Sequence, residues 1–241
     1  MNKILSQDEI NALFSAMSSE EGGMETTDHE KRPRYKKVFN FDFHRADHIS
    51  LDQMRSIQML HELFTRSFTS SLSAYLKTVV DILLINLEQL PYADFLKKLP
   101  NPTLFARVGM SPLDENLVLE MSPTLVFPMI DMILGKPKHN MLRSMTLTEI
   151  EMNIIDDVLG LAMRDLQRAW SSVIDLNIFV EDRGTKAQLF QVVSPYETVI
   201  AVHLELKIGD NSGTMNLCIP SRVLKQISNI FDQQCCVPTV R

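Results

Sequence analysis

Apolar residues at Ile10, Leu13, Phe14 and Met17 recur at three- and four-residue steps and predict a short amphipathic helix at the start of the chain. Ser6-Gln7-Asp8-Glu9 opens it as a capping box: the Ser6 hydroxyl accepts from the Glu9 N–H, the Glu9 carboxylate accepts from the Ser6 N–H, and Leu5 is placed to staple onto Ile10. Isolated helices below about 12–15 residues are marginal in water. This one either packs on the body or folds on a partner, and the next stretch favours the partner. From Ser18 to Glu30 only Met24 is apolar, too little to offset the entropy of ordering, so the stretch reads as a flexible tether. Phe39, Phe41 and Phe43 then alternate with polar residues, as in a short extended segment that docks on the body.

Leu51, Met54, Ile57, Leu60, His61, Phe64 and Phe68 continue at helical spacing. Thr78 to Leu87 reads as a buried strand, followed by strands over Leu104–Val108 and Asn116–Met121 with a turn at Ser111-Pro112-Leu113-Asp114. Ser122-Pro123 opens a helix to Leu134 that ends at Gly135, with Pro128 expected to kink it or loosen its first turns. The order then repeats. Thr146 with Glu149 offers a second capping box for a helix to about Trp170. Strands follow over Val173–Glu181, Gln188–Val193, Thr198–Ile208 and Met215–Ile219, with a hairpin loop over Gly209–Gly213 and a last helix opened by Pro220 and running through Phe231.

Landmarks of the two halves lie about 93–97 residues apart, too long for a small solenoid unit. Leu51 matches Leu147, Tyr75 matches Trp170, Pro123 matches Pro220, and Ile133-Leu134 match Ile230-Phe231. Each half is helix, three strands, helix. The expected fold is α/β: one antiparallel-rich sheet of about six strands covered by helices, with pseudo-two-fold symmetry. Residues 1–17 read as a peptide helix, 18–44 as a linker, 45–232 as the folded body and 233–241 as a short tail.

Composition narrows the function. A net charge of −6 gives no support to a general nucleic-acid role. No apolar run reaches the roughly 18 residues of a membrane span; the best, Val79–Leu87, is broken by Asp81 and Asn86. Gln7, Asp8 and Glu9 fall where a secretory signal needs an apolar core. Cys218, Cys235 and Cys236 have no metal-like spacing and read as reduced thiols. The basic run Lys31-Arg32-Pro33-Arg34-Tyr35-Lys36-Lys37 is either a solvated linker end or a contact for acidic headgroups or an acidic protein surface.

Catalytic signatures are sparse. The few scattered glycines form no phosphate loop, so no cofactor is expected. His44 and His48, with Asp42 and Asp47, have spacing for a metal but lack a fourth ligand and supporting partners, so no metal is expected. His61 lies on an apolar helix face and reads as a core histidine. Asp156-Asp157 are adjacent on a helix and point apart.

Several stretches resemble the FliM family of flagellar motor switch proteins. The opening Ile4-Leu5-Ser6-Gln7-Asp8-Glu9-Ile10-Asn11-Ala12-Leu13-Phe14 is similar to that family's binding peptide for phosphorylated CheY. Lys36-Lys37-Val38-Phe39-Asn40-Phe41-Asp42-Phe43 with Leu60-His61-Glu62-Leu63-Phe64 resembles the family's entry into its middle domain, and Leu147-Thr148-Glu149-Ile150-Glu151 is a further family-like stretch. The resemblance implies a CheC-like middle domain, a pseudo-symmetric three-layer α/β/α sandwich, standing beside copies of itself in a ring at the cytoplasmic face of the inner membrane, in the flagellar basal body. It implies CheY capture by Leu5, Ser6, Gln7, Asp8, Glu9, Ile10, Asn11, Ala12, Leu13 and Phe14. It also implies FliG binding through a Gly-Gly-x-Gly loop, which here reads Leu134-Gly135-Lys136-Pro137-Lys138, with lysines in place of two glycines. The family carries a FliN-like domain after the middle domain; this chain stops at Arg241, so assembly with FliN by that route is not expected.

Two classes of function follow. The first is a non-enzymatic switch component that captures phosphorylated CheY and acts on rotation through FliG. The second is a CheC-like phosphatase acting on phosphorylated CheY, which by resemblance needs Glu-x-x-Asn on a helix. That motif occurs nowhere in the chain, and Asn153 has Ile150 three residues before it.

Overall fold

The computed structural model describes residues 49–135, 146–187 and 192–234. Ser50 caps the first helix, α1 (Leu51–Leu76): its hydroxyl accepts from the Gln53 N–H and the Gln53 side chain accepts from the Ser50 N–H. The apolar stripe buries Met54, Ile57, Leu60, Phe64, Phe68 and Leu72, each worth about 1.5–3 kcal/mol on leaving water. The chain continues as β1 (Val80–Pro91), α2 (Tyr92–Lys98), β2 (Leu104–Ser111), β3 (Asn116–Met121), α3 (Pro123–Ile133), α4 (Glu149–Trp170), β4 (Asn177–Gly184), β5 (Thr198–Ile208), β6 (Asn211–Pro220) and α5 (Ser221–Gln234).

The six strands form one sheet in the order β1-β5-β6-β3-β2-β4, every neighbouring pair antiparallel. Side chains alternate between its faces. Ala106, Val108, Leu119, Val202, Leu204 and Leu217 face the main core beneath α1, α3, α4 and α5. Phe105, Val118, Val199, Ala201 and Cys218 face the other way, under Tyr92 and Phe95 of α2 and under Ala187 and Val193. The expected α/β/α sandwich is thus formed, with one helical layer much thinner than the other.

The expected duplication holds, with corrected correspondences. A shift of 98 residues carries the capping box Ser50–Gln53 onto Thr148–Glu151, and Ile57, Leu60, Phe64 and Leu72 onto Ile155, Val158, Ala162 and Trp170, all buried. Leu51 therefore matches Glu149, not Leu147, and Trp170 matches Leu72, not Tyr75. A shift of 96 carries the pair Ile82↔Leu206 onto Ile178↔Met110 and the bulged Ile85 onto the bulged Glu181. The shift returns to 98 where Leu104↔Met121 maps onto Ile200↔Ile219, because the β5–β6 arm is two residues longer. Buried Leu125, Val126 and Met129 then match Val223, Leu224 and Ile227, and Pro123 matches Ser221, not Pro220.

Other boundaries move for local reasons. Thr148, not Thr146, caps α4, because Glu151 rather than Glu149 reaches back to the cap N–H. The strand expected from Val173 starts at Asn177, since the N–H groups of Val173 and Ile174 still bond the Trp170 carbonyl as the helix unwinds. β1 runs on to Pro91 because β5 offers partners down to Thr198. The α2 turn after it is unannounced by any long periodicity. The β5–β6 loop shrinks to Gly209-Asp210, with Gly209 at φ 56 and Ile208 paired to Asn211; a positive φ at that position suits a two-residue hairpin. Pro220 ends β6, opposite Val199, and does not open α5. Pro128 leaves α3 unbroken; Thr124, whose carbonyl it cannot bond, is exposed. Of the strand expected at 188–193, Val192 and Val193 show no strand pairing and the rest lies outside the described residues.

Candidate functional site

Leu5 to Phe14, the basic run 31–37 and His44 and His48 lie outside the described residues, as do Lys136, Pro137 and Lys138. Leu134 and Gly135 are described, and α3 sets their geometry. Its N-terminus is tied to the sheet: the Ser122 N–H donates to the Thr214 carbonyl at 3.0 Å and the Thr214 N–H donates to the Ser122 hydroxyl at 3.1 Å. Leu125, Val126, Met129 and Ile130 bury one side of the helix in the main core. At its far end the Leu134 N–H donates to the Ile130 carbonyl at 2.9 Å and the Gly135 N–H to the Met132 carbonyl at 3.1 Å. Gly135 has φ +64, and a Cβ there would meet nothing within 4 Å. The need for glycine is therefore one of backbone conformation rather than of space. Leu134 is half exposed beside it. The helix thus presents an apolar residue, Leu134, followed by a left-handed exit at Gly135.

Asn153, the asparagine considered for a Glu-x-x-Asn motif, is tied to a strand residue. Asn153 Oδ1 accepts from Arg183 at 2.8 Å, and Arg183 also pairs with Asp156 at 2.7 Å. Ile150 is 73% exposed and carries no carboxylate. Asp156 and Asp157 part company as expected of helix neighbours: the second accepts from the Tyr75 hydroxyl at 2.9 Å. Burial pushes the Asp156 carboxyl up, Arg183 draws it back and Asp157 adds to the rise. Asp156, Asp157 and Arg183 line a groove of 660 Å³ between α4 and β4, with Gly160, Arg164 and Phe179.

His61 is a core residue. Its Nδ1 lies 2.8 Å from the Ile57 carbonyl, its ring meets Trp170 edge-on with centroids 6.4 Å apart, and burial lowers its pKa to about 4. Cys218 is buried, and burial raises its thiol well above the ordinary range. Among the described residues no three His, Cys, Asp or Glu side chains gather as a metal would require, and no helix is long and apolar enough to cross a membrane.

One polar set was missed by sequence reasoning. Glu120 is fully buried in β3 and is bonded to Thr103 and Asn216; His203 joins Asn216 to Glu88. The signal was present as a lone carboxylate inside the apolar run Leu117-Val118-Leu119-Glu120-Met121.

Comparison with known proteins places this geometry. The family model "Flagellar motor switch protein FliM" matches residues 50–236. The flagellar motor switch protein FliM of Treponema pallidum is 35% identical over 243 residues, covering 100% of this chain and 70% of the relative. The crystal structure of the FliM middle domain from H. pylori superposes with a TM-score of 0.70 at 32% identity, covering 76% of this chain and 99% of that one. A FliG-FliM complex from H. pylori contains a chain with a TM-score of 0.71 at 33% identity, covering 76% of this chain and 100% of that one.

Proposed function

This chain belongs to the FliM family of flagellar motor switch proteins, and on that premise we propose that phosphorylated CheY is captured by its first seventeen residues and that the captured signal acts on FliG. As a family member the chain is a flagellar motor switch component. The observation that carries the finer reading is the capping box Ser6-Gln7-Asp8-Glu9 ahead of Ile10, Leu13 and Phe14, separated from the body by a polar tether.

The segment docks as a helix in a groove. Ile10, Leu13 and Phe14 are the buried anchors, and Leu5 staples the first turn. Ser6 and Glu9 hold the cap, worth about 1 kcal/mol, and Gln7, Asp8 and Asn11 supply polar contacts. Residues 18–44 tether the captured CheY at high effective concentration near the ring. Capture then biases a two-state contact between the middle body and FliG, at Leu134 to Lys138, in a ring of neighbouring copies at the cytoplasmic face of the inner membrane. FliG as partner is supported by the related chain in the FliG-FliM complex. The role is non-enzymatic.

Titrating a peptide of residues 1–17 against CheY, with and without a phosphoryl mimic, tests the capture step. Binding is expected to strengthen with the mimic; equal and negligible binding in both states would refute it. For the loop, Lys136→Gly with Lys138→Gly is expected to change FliG affinity, and an unchanged affinity removes this loop from the contact.

A further inference from the structure

No further inference is drawn: the strongest candidate, the exposed apolar patch of Val79, Leu83 and Ile85 along β1 at the outer edge of the sheet, carries none, because nothing in the structure shows what covers it.

Discussion

At the residue scale, His61 shows how burial converts an ordinary side chain into a pH liability. Its carbonyl partner Ile57 favours the charged ring, but burial dominates and lowers the pKa from 6.5 to about 4. Between those values the unfolded chain binds a proton that the folded chain does not. Stability from this residue is therefore full above pH 6.5 and falls as the pH drops toward 4, by about 3 kcal/mol in all. The position matched by the 98-residue shift is Leu159, buried in the same core. His61→Leu is expected to flatten the acid limb of a stability–pH profile measured by urea unfolding, while the parent loses stability from pH 6.5 downward. Parallel profiles would show that His61 does not set the acid response. That His61 is a core residue was legible from its place on an apolar helical stripe. The Glu120 chain was not, because its partners Asn216 and His203 are distant in sequence and meet only through the β3–β6 and β5–β6 ladders.

At the element scale, the docking of α3 on β6 rests on an absent side chain. A Cβ on Gly213 would lie 2.5 Å from Thr124 Oγ1, 2.6 Å from Ser122 Oγ and 2.7 Å from Leu125 Cγ. Those hydroxyls are fixed: they bond each other at 2.8 Å, and Ser122 also accepts from the Thr214 N–H. Gly213→Ala must shift the start of the helix that leads to Leu134 and Gly135, at an overpacking cost of about 1–3 kcal/mol. Gly109 is a control with similar nominal crowding, a Cβ there lying 2.8 Å from both Phe179 Cζ and Glu181 Oε1. Phe179 is 42% exposed and can swing away, so Gly109→Ala should cost less in the same denaturant measurement. Equal losses would mean the α3 start yields as readily as a surface ring. Elements with a local pattern were legible: α1 from three- and four-residue steps, α4 from a capping-box signal near its start, and the outer half of β5, Val202 to Ile208, from alternation. What stayed hidden depends on partners rather than on local pattern. The reach of β1 to Pro91, the delayed start of β4 and the two-residue shift of the α4 cap each depend on hydrogen bonds that no periodicity encodes. For the candidate site, Gly135 as a helix stop was legible because a positive φ leaves a sequence mark, whereas the tie of Asn153 to Arg183 across α4 and β4 left none.

At the scale of the whole body, the strand order makes the two halves inseparable. If each repeat were a domain, its three strands would lie together. Instead, among the described residues, β1 pairs only with β5 of the second half, and β4 only with β2 of the first. Each half therefore supplies the outer strand that completes the other, and β3 against β6 joins them at the centre. The cores are shared as well, since α1 packs on α4 and both lie over one continuous apolar cluster. A half on its own would keep a two-stranded hairpin and one unpaired outer strand, and isolated hairpins are marginal in water. The body should accordingly unfold in one cooperative transition, with near- and far-ultraviolet circular dichroism changing together. Fragments 49–140 and 141–234 expressed separately should lack the folded far-ultraviolet signal and regain it on mixing, as one species of summed mass in size exclusion. A fragment that folds alone, or two separate transitions in the intact body, would mean that the outer strands are additions to self-sufficient halves.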